Sequence, residues 1–258
     1  MFTRMTSFHT LSRPDSLDAG LGDRDLHVWR TNLDVSGDVL GKLERTLQPD
    51  ERERIGRLRA EVDRRRATAS RGLLRHILAG YVGKPAAELR FAYGPAGKPE
   101  LSGAADGESL HFNTAHSGDL LLVALGRVPT LGIDVERIRP IVRWERVARR
   151  AYSEEETLQI EALPPEKRSE AFITCWTRKE ACVKAVGEGV WSAFSRFEVS
   201  VTAGEPAVMR SIDGEPAAGA EWSLYHLEPA PGFVGALAVH GTGWSLWAGT
   251  LQSLEAET

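Results

Sequence analysis

Four stretches carry the side chains whose types and spacing could do chemistry. The first is Gly132-Ile133-Asp134-Val135-Glu136. Residues two apart on a strand point to one face, so Asp134 and Glu136 project together while Ile133 and Val135 face a core. Two carboxylates side by side repel unless a cation sits between them. A hard divalent ion such as Mg2+ takes a few carboxylates and leaves positions for phosphate oxygens. A solvated strand face is the plainer reading. The second stretch runs from Trp176 to Gly187 and contains Lys179, Glu180, Ala181 and Lys184. Trp176, Glu180 and Lys184 are each four apart and share a helix face. A surface Glu–Lys pair is the plainer reading here, but the Trp at the head of the stripe implies partial burial.

The third stretch, His111-Phe112-Asn113-Thr114-Ala115-His116-Ser117-Gly118, sets His116 among small polar residues at a strand end, where its ring can meet an anionic ligand. A hydrogen-bonded turn histidine is the alternative. The fourth is an arginine-rich helix with Arg64, Arg65, Arg66, Arg71 and Arg75. Arginine suits bidentate phosphate contact, although a charge run is more often a solvated face. Lys98, held in Gly97-Lys98-Pro99, belongs with this group, because a Gly/Pro turn positions a lysine better than a free helix does.

The elements that must position these residues are legible in outline. Residues 1–24 mix Ser, Thr, Pro, Asp and Gly without periodicity and read as a loose leader. Alternation predicts strands over 25–33, 89–93, 110–113 and 120–125, with a turn at 116–119. Apolar spacings of three and four predict one helix over 48–79. A turn covers 94–99. A second series follows, with a strand over 131–136 and helices over 144–151, 154–162 and 166–186. Ser153 caps one of these helices and Gly187 ends another. Strands over 197–201, 222–227, 234–239 and 245–249 complete it. Helices and strands thus appear twice, in halves of about 120 residues, and the pattern is α+β with largely antiparallel strands.

The chain has 258 residues, 42% hydrophobic and 26% charged, with a formal net charge of −4. At roughly 100–200 residues per domain this is one large domain or two small ones. The composition excludes disorder of the whole chain. The near-neutral charge argues against nucleic acid and membrane surfaces as partners. It also hides an uneven layout, with nine arginines against five acids from Asp50 to His76. Cys175 and Cys182 lie seven apart on one helix and cannot pair with each other there, so a reducing cytoplasm fits. The longest clean apolar run, 120–125, is far short of the ~20 residues a transmembrane helix needs.

Four signatures in order, Gly97-Lys98-Pro99, Phe112-Asn113-x-x-His116-Ser117, Gly132-x-Asp134-x-Glu136 and Trp176-x-x-Lys179-Glu180-Ala181-x-x-Lys184, make the chain resemble a Sfp-type 4′-phosphopantetheinyl transferase. The likeness covers about residues 45–245. Its Trp and Lys-Glu-Ala variant resembles the subgroup serving polyketide and nonribosomal peptide synthesis. The resemblance implies two similar α/β subdomains related by a pseudo-twofold axis, with the active site in the cleft between them. The divisions would be a leader at 1–24, a half binding the coenzyme A phosphates at 25–129, and a half at 130–258 with the metal carboxylates and the catalytic helix. It implies transfer of the phosphopantetheine arm of coenzyme A to a serine of an acyl or peptidyl carrier protein, with release of adenosine 3′,5′-bisphosphate. By resemblance, Asp134, Glu136 and Glu180 hold Mg2+, with Mn2+ as the alternative ion. Glu180 and Lys184 are catalytic, Glu180 being the candidate base. Arg66, Arg71, Lys98, His116, Ser117, Lys179 and Lys184 hold coenzyme A, with Arg52 and Arg54 as weaker carry-overs. A cytoplasmic monomer is expected. Ala115 departs from members that carry serine there, which removes one hydroxyl from the phosphate site.

Two other readings compete. A coenzyme A-dependent acyltransferase would use the thioester and release no phosphoadenosine product. A non-catalytic polyanion-binding module would use the arginine helix, and its binding would weaken steeply with salt.

Overall fold

The structure is a computed structural model that describes residues 8–11, 20–94, 97–102, 110–187, 194–202 and 204–251. Most of the expected leader, and Pro95 and Ala96 of the expected turn, lie outside the described residues. Two sheets lie face to face, with helices on both outer sides. The chain begins with β1 (His9–Leu11) and β2 (Asp25–Asn32). Three helices follow, α1 (Gly37–Thr46), α2 (Pro49–Gly56) and α3 (Glu61–Val82). Then come the short strands β3 (Phe91–Tyr93) and β4 (Pro99–Leu101), and the longer β5 (His111–Ser117), β6 (Leu120–Gly126) and β7 (Leu131–Arg137). Helices α4 (Trp144–Ala151), α5 (Glu154–Glu161) and α6 (Pro165–Val186) come next. The chain closes with β8 (Phe197–Val199), β9 (Met209–Ile212), α7 (Pro216–Ala220), β10 (Trp222–Leu227), β11 (Phe233–His240) and β12 (Ser245–Leu251).

The larger sheet has the order β1-β12-β2-β6-β5 and the smaller β10-β11-β7. Period-two alternation sorts the side chains into layers. Leu121, Val123 and Leu125 of β6 pack toward α1 and α3, while Leu122 and Ala124 face the smaller sheet. Leu131, Ile133 and Val135 of β7 point into that same inter-sheet core. The even-numbered face of β7, Gly132, Asp134 and Glu136, is thereby turned toward α6.

Two expectations change. The single helix over 48–79 is two helices, broken at 57–60. The break lets α2 fold back, so that buried Glu51 meets Arg71 and Arg75 of α3. The leader is not wholly loose, because β1 pairs in parallel with β12. Separately, β12 lies parallel beside β2, so the larger sheet takes strands from both sides of 129/130. The two sheets also differ in size, with five strands against three among the described residues. Helices α5 and α6 lie within one residue of the expected bounds. Ser153 and Glu156 form a reciprocal capping box, and Gly187 closes α6 at φ 73°, where glycine has no steric penalty. Both cysteines are free and buried. Among the described residues, no helix is long and apolar enough to cross a membrane.

Candidate active site

The site begins at Gly132. A Cβ there would lie 2.1 Å from the Ala181 carbonyl oxygen and 2.3 Å from the Ala185 nitrogen. Only glycine lets the backbone of α6 lie against β7 so closely. From Ala171 to Ala185, every residue of α6 is buried except Trp176, Glu180 and Lys184, which are half-buried. The four-residue stripe is therefore the one open face of this stretch of helix, and it lies over Asp134 and Glu136.

Lys184 Nζ donates to Asp134 Oδ1 at 2.6 Å. The other oxygen, Asp134 Oδ2, is buried with no hydrogen-bond partner. Burial pushes the Asp134 carboxyl up to about 7; Lys184 opposes the shift, and the charges of Glu180 and Glu136 add to it. Glu180 is also raised, first by burial and then by Glu136, against the pull of Lys184. Three carboxylates thus feel one another. β5 is held beside β7 by two side chains. Asn113 Oδ1 accepts from the Ile133 amide at 2.9 Å. Ser117 Oγ donates to Glu136 Oε2 at 2.9 Å and accepts from the Arg137 amide at 3.1 Å. Next to Ser117, His116 is held below its ordinary value by burial and by the charges of Lys184 and Arg66, with Glu136 opposing. Arg66 reaches the same end of the sheet, where its Nε donates to Asp119 Oδ1 at 2.7 Å.

The donors over β7 are oxygens only, the set a hard divalent ion takes. Among the described residues, no three His, Cys, Asp or Glu groups stand close enough to ligate one ion. Lys184 supplies the positive charge that Asp134 needs. The orphaned Asp134 Oδ2 is an oxygen donor of the kind a cation takes, although the three carboxylates do not stand close enough here to share one ion.

The structure gathers Asp134, Glu136, Glu180, Lys184, Ser117, His116 and Arg66 at one end of the β5–β7–α6 cleft, and places the other candidates elsewhere. Lys98 lies at the opposite end of β7, where its ammonium donates to the Leu131 carbonyl at 2.9 Å and burial lowers its pKa. Lys179 does not face the cleft. It is fully buried and donates to Glu156 Oε2 at 2.5 Å. An adjacent residue is turned about 100° around the helix, and the neighbours of Lys179 at three and four, Cys175, Cys182 and Val183, are apolar, a signal of the buried face. Arg71 also lies away from this end of the cleft. Its Nε donates to Glu51 Oε1 at 2.6 Å, it donates to the Tyr93 hydroxyl, and it stacks over Phe91. Exposed Arg54 pairs with Asp50 at 3.3 Å and lies over the Tyr93 ring. Exposed Arg52 reaches only the Arg45 carbonyl, at 3.5 Å. Sequence reasoning missed Asn113 and Asp119 as the residues that fix the β5 end of the site. Asp119 was readable only as part of a turn.

Two family models match the chain. One, for the 4′-phosphopantetheinyl transferase superfamily, matches residues 130–238, and one for the N-terminal part of 4′-phosphopantetheinyl transferase matches residues 36–127. The 4′-phosphopantetheinyl transferase HetI of Nostoc sp. is 38% identical over 237 residues, covering 92% of this chain and 96% of that protein. The 4′-phosphopantetheinyl transferase psf-1 of Bacillus pumilus is 31% identical, covering 70% of this chain and 74% of its own. The L-aminoadipate-semialdehyde dehydrogenase-phosphopantetheinyl transferase of Xenopus laevis is 28% identical, with 61% and 55% covered.

Proposed function

The chain belongs to the 4′-phosphopantetheinyl transferase superfamily, and from that premise we propose that it moves the phosphopantetheine arm of coenzyme A onto a serine of an acyl or peptidyl carrier protein. The observation that carries this reading is the gathering of three carboxylates, Lys184, His116 and Arg66 at one end of the cleft. A phosphoryl transfer from a polyanion needs just these two kinds of group, carboxylates for a cation and cations for phosphates.

Asp134, Glu136 and Glu180 would hold Mg2+, which supplies charge neutralisation for the pyrophosphate when bound. His116, Arg66 and Lys184 face the phosphates, and Ser117 holds Glu136 in place. Lys98, at the far end of β7, remains the proposed contact for the nucleotide end of coenzyme A. The serine hydroxyl of the carrier gives its proton to the Glu180 carboxylate, directly or through a water. Its oxygen bonds to the phosphorus of the arm as the bond to the leaving phosphate breaks. Adenosine 3′,5′-bisphosphate departs with the electron pair. Lys179 and Arg71 have no part in this scheme, since Lys179 is fully buried against Glu156 and Arg71 is tied to Glu51 and Tyr93 away from the carboxylate end of the cleft.

Intact-mass analysis of a panel of apo-carriers with coenzyme A and Mg2+ tests the reading. The expected result is a gain of one phosphopantetheine on at least one carrier, with adenosine 3′,5′-bisphosphate as the second product. A carrier acylated without that product would establish the acyltransferase instead.

A further inference from the structure

We propose that Asp119 is a positioning residue of the active site: it holds Arg66 so that the phosphate-binding side stands at a fixed distance from the carboxylates. The inference rests on the transfer reading above and adds a residue that acts on the donor only through another side chain. Asp119 sits on a rigid base. Ser117 of β5 lies opposite Leu120 of β6, so Gly118 and Asp119 alone make the connection. Of these two, only Gly118, at φ 59°, is in the left-handed region. A glycine at the first of two turn positions gives a hairpin turn whose twist matches that of its strands. The turn is anchored from outside as well, because the Asp119 carbonyl accepts from the Leu33 amide, just past β2, at 2.7 Å.

Two side chains leave this turn toward opposite partners. Ser117 Oγ donates to Glu136 on β7, and Asp119 Oδ1 accepts from Arg66 Nε on α3 at 2.7 Å. One short turn therefore holds both a carboxylate and a guanidinium of the site. The bond to Asp119 occupies Nε alone. Neither Nη of Arg66 makes a hydrogen bond among the described residues. These ends of the guanidinium can take phosphate oxygens in pairs. The Arg66 side chain is 33% exposed. Without a partner it would lose its rotamer freedom only on binding the donor, which lowers affinity. Asp119 imposes that loss during folding. The Asp119 side chain is itself 47% exposed, so water and salt screen its repulsion of an incoming phosphate. The bond to Arg66 holds its carboxyl below the ordinary value, so the hold persists at neutral pH. His116 feels the Arg66 charge, which places the guanidinium near the second proposed phosphate contact.

The sign of the effect is the test. If Asp119 were only a nearby negative charge, removing it would strengthen the binding of a polyanion. Positioning predicts the reverse. The measurement is steady-state transfer to whichever apo-carrier of the panel the wild-type protein modifies, with coenzyme A varied. For Asp119→Ala, KM for coenzyme A should rise about tenfold, while kcat and the carrier KM stay within roughly twofold. Asp119→Asn keeps an acceptor for Nε without the charge, so its rise should be smaller, about threefold. It also covers any loss of folding in the alanine variant. Arg66→Ala should raise the same KM, and Arg66→Ala/Asp119→Ala should be no worse than Arg66→Ala alone, because Asp119 acts through Arg66. A KM for coenzyme A that falls or stays unchanged in Asp119→Ala would overturn the positioning role while leaving the transfer reading standing. Additive effects in the double variant, or equal rises in the two KM values, would overturn it too. No transfer by the wild-type protein to any carrier would remove the transfer reading. Calorimetric titration of the same variants with coenzyme A would then read the hold on Arg66, with the same about tenfold loss expected for Asp119→Ala and an unchanged affinity overturning it.

Discussion

The two arginine groups of this protein have opposite fates. On α3, Arg64 pairs with Glu61, Arg66 with Asp119, and Arg71 and Arg75 share Glu51. From the end of β7 through α4, six arginines stand exposed with no side-chain partner among the described residues. The charge available to a ligand is what remains after the fold has paired its own. By that measure, α3 is chiefly a structural helix, with Arg66 at the site only through its pair with half-exposed Asp119, and the unpaired positive charge lies on the other half, next to the carboxylates.

The largest expected effect tests the structural side of this contrast. Arg75 is fully buried and Glu51 is 4% exposed. Arg75→Met strips a buried carboxylate of one of its two arginines, and should cost about 3–5 kcal/mol. Lys179→Met should act similarly, because Glu156 would be left buried with two backbone amides, from Ser153 and Val199, and no cation. Urea denaturation reads both. A loss under 1 kcal/mol in either variant would mean that these pairs are incidental and that the α3 charges are as free as those on α4.

Gly132→Ala comes next. The added methyl would overlap the backbone of α6, so α6 must move away from β7. Overpacking of this kind costs typically 1–3 kcal/mol. It should also carry Glu180 and Lys184 away from Asp134, so transfer should fall by more than the stability loss explains. A variant with full activity would show that the carboxylate end of the cleft tolerates a displacement of α6 from β7.

Why the sequence disclosed some of this and not the rest follows from range. The alternation of Asp134 with Glu136, and the four-residue step from Trp176 through Glu180 to Lys184, are local periods, and each correctly put its residues on one face. Pairing across 20 or 24 residues, as of Glu51 with Arg71 and Arg75, leaves no periodic trace. Nor does the return of β12 to lie between β1 and β2, which depends on the far end of the chain. Lys179 was misplaced for a different reason. A motif groups neighbours by sequence, while a helix separates adjacent residues by a quarter turn or more, so Lys179 and Glu180 serve different sides of α6.

Arg178 sharpens the comparison further. It is as buried as Arg75 but makes no carboxylate ion pair among the described residues. Its Nη1 donates to the Ser200 carbonyl at 2.6 Å and the Ser200 hydroxyl at 2.9 Å, and its Nη2 to the Thr202 carbonyl at 3.2 Å. Its charge is felt by His226, which burial first and Arg178 second depress to about 4. The unfolded chain takes up that proton near pH 6.5 and the folded chain only near 4, so the unfolded state holds more protons between those values. Stability should fall as pH drops through this window, by about 2 kcal/mol at pH 5 from this group. His226→Gln should flatten that part of the stability profile. An unchanged slope would mean that His226 titrates normally and that the Arg178 charge is screened.

The smallest effect separates the two arginine groups most sharply. Arg146 is the third residue of α4, in the first turn, where the helix dipole disfavours a cation. It also faces Arg149 and Arg150 one turn on. Arg146→Glu replaces both repulsions with attractive i,i+3 and i,i+4 pairs, each about 0.2–0.5 kcal/mol. It also sets an acid where the dipole favours one, by about 0.3–1 kcal/mol. The variant should therefore be more stable than the wild type by about 0.7–2 kcal/mol, a rise of roughly 2–4 °C in Tm, while its KM for the carrier increases. A residue kept for the fold cannot behave this way, because removing it would lower stability, as Arg75→Met should. Stability and carrier affinity moving in opposite directions is the signature of a surface held against the preference of its own helix. A fall in stability at unchanged carrier KM would place Arg146 with the structural arginines of α3.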